Sequence, residues 1–437
     1  MKLLIITFLI LCLLYMIAKK RWNAFLSMTV VAIIAGILLG IPLPNIMTVF
    51  EEGMGNLLGS LALILGLGAM IAQIMEESGA ATRIAQVLLV KIGARYAQIA
   101  VLAIGIIIGF ALFFDAGFIL LIPIVLNVAS QLKVPPLYLG LPAAAALLTI
   151  HTFFPPHPGA VEIIKTLHVN DGLLLGIGLC IALPSLAVSG VIWPKFLYRK
   201  EKINRHNEAI NFDDTIDADV TFASSVGLMI LPVILIAFGS FLPMFCHNTT
   251  VNDIVQMVGH PVIALLITLL CVLYRFGYRQ GRTTASLMDS LVIAVQTVAM
   301  VLLINGAGGG LKQIFIEGGV TKEVVSLMSQ LHLTPLVAGF MIAALMRVTL
   351  GSSTIAAMTA AGIVQNMVLP GGIENILIAL AIGAGSMFCS HINDPGFWLF
   401  KQYFDLSVKE TFKTWTMMTI IGSLTSLSLL VFVSLFI

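Results

Sequence analysis

Four short stretches concentrate the residues able to do chemistry in a chain that is otherwise strongly apolar. They run from Phe113 to Gly117, His151 to Gly159, Arg347 to Thr354 and Ser390 to Gly396. Pro155, Pro156 and Pro158 place three prolines in four positions, so no helix continues through the second stretch; Gly159 follows them. Pro395 and Gly396 mark the fourth stretch in the same way. Broken helices leave backbone N–H and C=O groups free, and at membrane depth such groups are tolerated only where they line a cavity or are buried in protein. Half-helix N-termini carry partial positive charge and suit a carboxylate. The neighbouring Ser, Thr, Asn and His side chains suit hydroxyl groups. The chemistry is that of holding a small polar organic anion.

Each residue in these stretches carries a functional and a structural reading. The candidate substrate contacts are Asp115, Ala116, Gly117, His151, Thr152, Gly351, Ser352, Ser353, Thr354, His391 and Asn393. Asp115, His157 and Asp394 are the candidate proton carriers, because ionisable groups inside apolar segments are costly and functional by default. Asp115 equally suits capping of hairpin amides, Asp394 the N-cap of a half-helix, and His157 a structural hydrogen bond. Arg347 either meets a substrate carboxylate or pins its hairpin through an internal ion pair. Gln73, Glu77, Gln313 and Glu317 read as helix ends at the interface.

The elements that must position these residues follow from composition. Of 437 residues, 59% are hydrophobic and 10% charged, and the mean hydropathy is +1.06. A soluble domain carries about 25% charged residues, so a soluble enzyme, a nucleic-acid binder and a disordered chain are excluded. The formal net charge is +2, which gives no field for a polyanionic partner. The five cysteines are scattered and never in C-x-x-C spacing, and there is no H-E-x-x-H or Walker A motif. No metal, cofactor or catalytic constellation is expected. The chain reads as an all-α polytopic membrane protein.

Apolar runs long enough to span a bilayer (about 20 residues) lie near 2–18, 24–42, 55–75, 172–194, 224–246, 260–274, 286–310 and 415–437. Two more, 97–169 and 334–405, are broken by Gly, Pro and charge. The Lys/Arg bias of short loops sets orientation: 19–21, 195–205 and Arg275, Arg279 and Arg282 are basic, whereas 43–50 and 247–258 hold no Lys or Arg. With the basic loops in the cytoplasm, both termini face outward, and Arg83, Lys91 and Arg95 fall inside on an amphipathic stretch. The chain divides at 1–194, a cytoplasmic linker at 195–222, and 223–437.

The halves repeat. Gly66, Gly68, Gln73, Ile74, Glu77 and Gly79 return as Gly306, Gly308, Gln313, Ile314, Glu317 and Gly319, at an offset of 240 (306 − 66). Pro158-Gly159 returns as Pro395-Gly396 at 237 (395 − 158), an offset that also sets Asp115 against Ser352. Each half crosses an odd number of times, so the copies are inverted, each with a re-entrant hairpin and a broken transmembrane helix. Inverted repeats with matching interruptions mark a secondary transporter. A monoanion entering a negative interior is opposed by about 2.3 kcal/mol per 100 mV, which makes coupling to protons, or to sodium, the expected energy source. An integral-membrane enzyme and a passive channel are the rival readings from other classes.

At these breaks the sequence resembles the gluconate:proton symporter family of the ion transporter superfamily. The stretches that carry the resemblance are GFALFFDAGFILLIPI (109–124), HTFFPPHPGA (151–160), RVTLGSSTIAAMTAAG (347–362) and SHINDPGFWLFKQYF (390–404), with GSLALILGLGAMIAQ (59–73) and NGAGGGLKQI (305–314) as secondary matches. The resemblance implies proton-coupled uptake of gluconate or a related sugar acid across a bacterial cytoplasmic membrane, an elevator-type movement and a homodimer. Where the family commonly has Glu this chain has Asp115, which leaves the particular ligand open. The alternative is a permease for another small carboxylate, such as a hydroxy amino acid (D-serine) or a dicarboxylate.

Overall fold

A computed structural model describes residues 2–84, 87, 96–155, 157–200, 220–242, 249–329, 333–367 and 372–436. Most of the linker, the amphipathic-stretch residues Lys91 and Arg95, and the helix-breaking Pro156 lie outside the described residues. In the first half the helices are α1 (Lys2–Leu14), α2 (Ala24–Leu38), α3 (Leu43–Glu77), α4 (Ala97–Ala111), α5 (Phe114–Gln131), α6 (Pro136–Phe153), α7 (Pro158–Thr166) and α8 (Gly172–Tyr198). The second half holds α9 (Phe222–Phe241), α10 (Thr249–Val258), α11 (Pro261–Gln280), α12 (Thr284–Glu317), α13 (Val320–Ser329), α14 (Pro335–Leu350), α15 (Ser353–Val364), α16 (Ile373–Met387), α17 (Pro395–Tyr403) and α18 (Val408–Ser434). No strand occurs among the described residues, and seven helical runs among them are long and apolar enough to cross a membrane. The fold is all-α and polytopic.

Two segments expected as loops are helical. Residues 43–50 form the first turns of α3, because Pro44 sits in the first turn, where its missing N–H costs nothing, and no proline follows it before Glu77. Residues 249–258 form α10, none of whose side chains is buried. The order of elements recurs across the halves. The long helices α3 and α12 begin 241 residues apart (284 − 43), and the short helices α7 and α17 begin 237 apart (395 − 158). Even the terminal side-chain pairs match: Gln73 Nε2 donates to Glu77 Oε1 at 2.7 Å, and Gln313 Nε2 to Glu317 Oε1 at 3.4 Å.

The chain forms two compact units, each drawn from both halves. The first comprises Met1–Leu61, Leu148–Ser189 and Met300–Ile437; the second comprises Ala62–Leu147 and Gly190–Ala299. In the second unit α4 and α5 pack together, α9 packs on α11, and Arg282 Nη1 meets Glu77 Oε2 at 2.7 Å with Ser290 Oγ donating to the same oxygen. The first unit is organised around α16, buried from Asn375 through Met387. A helix that is apolar on every side must be surrounded, and α14, α15, α7, α8 and α18 all pack against it. Gly385 permits the approach of α14: a Cβ at this position would land on the Phe340 carbonyl oxygen.

Gly385→Val is therefore expected to abolish folded, monodisperse protein in detergent or lower its melting temperature by several degrees. Gly362→Ala, at a helical glycine whose Cβ would meet nothing within 4 Å, is expected to leave melting unchanged or raise it slightly. Melting curves of both purified variants check this.

Candidate functional site

Three of the four helix breaks belong to the first unit, and the side chains of two of them satisfy one another. Helix α14 ends at Gly351, whose φ of +72° is left-handed, and Ser352 then caps α15 by accepting from the Ile355 N–H at 3.4 Å. A Cβ on Gly351 would land on the Asn393 carbonyl, so glycine is required twice over. The last carbonyls of a helix have no partner within it. Here the 390–396 break supplies partners: Asn393 Nδ2 donates to Val348 O at 2.8 Å and Thr349 O at 3.3 Å, and His391 Nε2 lies 3.1 Å from Val348 O. A carbonyl only accepts, so Nε2 carries the His391 proton and Nδ1 is left as an acceptor.

An ion pair locks this junction. Arg347, 2% exposed, donates from Nη2 to Asp394 Oδ2 at 2.5 Å and from Nη1 to the Gly351 carbonyl at 2.6 Å. Asp394 is also the N-cap of α17, its Oδ1 accepting from the Gly396 N–H at 3.3 Å, with Pro395 at the first helical position. Ser390 Oγ donates to Asp394 Oδ2 and accepts from Trp415 Nε1 at 2.7 Å. The Ser390 backbone bonds Thr416 and Thr419, which ties the break to α18.

The 151–159 stretch also reaches this junction. Helix α6 continues through Phe153, so His151 and Thr152 are helical, and the break includes Phe154, Pro155 and His157. Thr152 turns its hydroxyl back onto Leu148 O and Thr149 O at 3.1 and 3.2 Å. The Nδ1 atoms of His151 and His157 lie 3.3 Å apart, close enough to share one proton between two rings. Pro158 opens α7 and is exposed, Pro155 is half-buried, and Gly159 is buried where a Cβ would stand 3.4 Å from Thr354 Cα. The tip Gly351 to Thr354 therefore contacts both broken helices. Ser353 and Thr354 are half-buried in the first turn of α15.

Asp115, Ala116 and Gly117 belong to the second unit. The chain breaks at Leu112 and Phe113, and Asp115 stands half-buried in the first turn of α5, where the helix dipole favours an acid. Ala116 and Gly117 are buried behind it.

Five buried atoms of the first unit have no hydrogen-bond partner among the described residues: Arg347 Nε, His391 Nδ1, Asn393 Oδ1, and Asn305 Oδ1 and Nδ2. Asn305 and Ser390 escaped the selection of site residues from sequence. Asn305 lies on α12, 1% exposed, one turn before Gly308, whose Cβ would stand 3.9 Å from the Asn393 carbonyl. Its signal was an amide that, like Gln296, interrupts the apolar run of α12, a costly placement that marks function.

Removing one charge of the buried pair strands the other, at a typical cost of about 3–5 kcal/mol. Arg347→Gln and Asp394→Asn are each expected to lower the melting temperature markedly, and the double variant to recover part of the loss. A double-mutant cycle on melting curves measures the coupling.

A GntP family permease model matches residues 1–436. A high-affinity gluconate transporter of Escherichia coli (strain K12) is 36% identical over 98% of this chain and 98% of its own. The Gnt-II system L-idonate transporter of the same organism is 37% identical over 93% and 92%. The solved structure of the Alcanivorax borkumensis YdaH transporter is similar over 94% of this chain and 98% of that one, with 14% identity and a TM-score of 0.46, and no residue role is carried across from it. By the match of its whole length, and not by any single motif, this chain belongs to the GntP permease family, whose members are transporters and not enzymes.

Proposed function

We propose that the chain is a secondary active importer of gluconate or a related sugar acid, driven by proton symport and moving its site by an elevator-type displacement within a homodimer. The relatives named for gluconate and L-idonate support the substrate class. The observation that carries the reading is the chemistry of the unpartnered atoms. His391 Nδ1, Asn393 Oδ1 and Asn305 Oδ1 are acceptors suited to hydroxyl donors, while Arg347 Nε and Asn305 Nδ2 are donors suited to a carboxylate. A polyhydroxylated carboxylate presents both. The hydroxyls of Ser353 and Thr354, at the start of α15, complete a polar lining. Arg347 binds in this reading through Nε, the one guanidinium nitrogen without a partner among the described residues, while its two terminal nitrogens hold Gly351 and Asp394.

The recurring element order supports two inverted repeats, with α4–α5 and α14–α15 as re-entrant hairpins. The basic loops support a cytoplasmic linker with both termini outside. Carrying one proton cancels the electrical cost of importing a monoanion, about 2.3 kcal/mol per 100 mV. Asp115 takes this proton, with the His151–His157 pair as a second holding point. The Asp394 carboxylate is engaged by Arg347, Ser390 and the Gly396 N–H, so it serves the junction in preference to the relay.

Asp115→Asn is expected to abolish uphill accumulation of labelled gluconate in proteoliposomes under an imposed pH gradient, while counterflow exchange continues; accumulation by this variant removes Asp115 from the proton step. Asn305→Leu is expected to raise the melting temperature, because two unpartnered polar atoms leave the interior, and to raise the KM for gluconate about tenfold, the loss of one hydrogen-bonding group. Wild-type KM in that variant removes Asn305 from the site.

A further inference from the structure

We propose that a cation-lined cavity in the first unit is a vestibule that holds the transported sugar acid by its carboxylate on the cytoplasmic side of the buried site. The inference rests on the sugar-acid reading above. The cavity has a volume of about 590 Å³, and its lining includes Arg21, Lys401 and Lys409 but no Asp or Glu. Among the described residues none of these three cations has an ion-pair partner. Three unneutralised charges around a low-dielectric wall attract an anion and raise its local concentration.

The walls fit a polyol as well as a carboxylate. Trp22 and Trp398 offer apolar faces for C–H groups, and Gln402 supplies a hydrogen-bonding amide. The indole of Trp398 reaches inward, Nε1 donating to Ile392 O at 2.8 Å inside the 390–396 break. Ile304, another wall residue, directly precedes Asn305. Two lining residues are thus immediate neighbours of the buried unpartnered atoms, Ile304 in the chain and Trp398 through its bond inside the break. Arg21, also in the lining, has a φ of +57°, an unfavoured conformation for a residue with a side chain. Arg21 lies in the basic segment 19–21, which the Lys/Arg bias places in the cytoplasm.

A phospholipid phosphate shares the oxyanion chemistry, and transport in vesicles of defined sidedness separates the two sources. R21Q/K401Q/K409Q is expected to raise the KM for labelled gluconate at least about tenfold more in inside-out than in right-side-out membrane vesicles, and to lose the dependence of that KM on ionic strength. Arg279→Gln, which removes a basic charge of the second unit, is expected to leave both values as in the wild type. In the native protein, gluconate but not glucose is expected to slow labelling of Lys401 and Lys409 by an amine reagent, read by mass spectrometry. Equal KM changes in both orientations, an unchanged KM, or an effect that disappears in vesicles of phosphatidylcholine alone would each overturn the vestibule. Transport by the wild type with an unaffected triple variant overturns this inference alone; absence of gluconate transport by the wild type overturns the sugar-acid reading and the vestibule with it.

Discussion

The ion pair between Arg347 and Asp394 is the interaction on which the first unit depends. Two charges taken out of water cost several kcal/mol each, and their attraction repays this only with close geometry and satisfied neighbours. The geometry is close here, and of the pair's polar atoms only Arg347 Nε is left without a partner among the described residues. Asp394 gains the Ser390 hydroxyl and the Gly396 N–H; Arg347 gains the Gly351 carbonyl. One pair therefore fixes the end of α14, the start of α17 and, through Ser390, the face of α18 that carries Trp415.

A second constraint explains why polar side chains gather at the same place. Ending α14 at Gly351 exposes its last carbonyls, and hydrocarbon offers them nothing. Asn393 and His391 spend their donors on Val348 and Thr349. Having met that need, each retains a free acceptor. A site rich in acceptors arises from the repair of a broken helix, and the residues that stabilise the break are the ones available to a hydroxylated solute.

Some of this architecture is legible in composition and motif. Scarcity of charge names the membrane, since 10% charged residues cannot cover a water-facing globule. Proline and glycine locate the breaks where they cluster, around Pro155, Pro158-Gly159 and Pro395-Gly396, whereas the single prolines Pro123 and Pro142 sit inside α5 and α6. The helix boundaries are less legible. Residues 43–50 carry polar and proline signals that resemble a loop, yet nothing in them prevents helix once α3 has neighbours to pack against. Thr152 reads as a hydroxyl facing the break, whereas the helical path of α6 turns it onto the carbonyls of its own preceding turn.

Residue types and their order thus set what is local and covalent: where clustered prolines break helices, which segments are apolar, and which titratable groups those segments hold. The tertiary structure alone decided pairing. Arg347 was open between ligand and structural partner because 47 positions separate it from Asp394, and no spacing rule brings them together. Asn305, 88 positions before Asn393 (393 − 305), comes beside that break only through the packing at Gly308. Hydrogen bonds and ion pairs act over about 3 Å, and only the assembled first unit brings residues so distant in the chain within that reach.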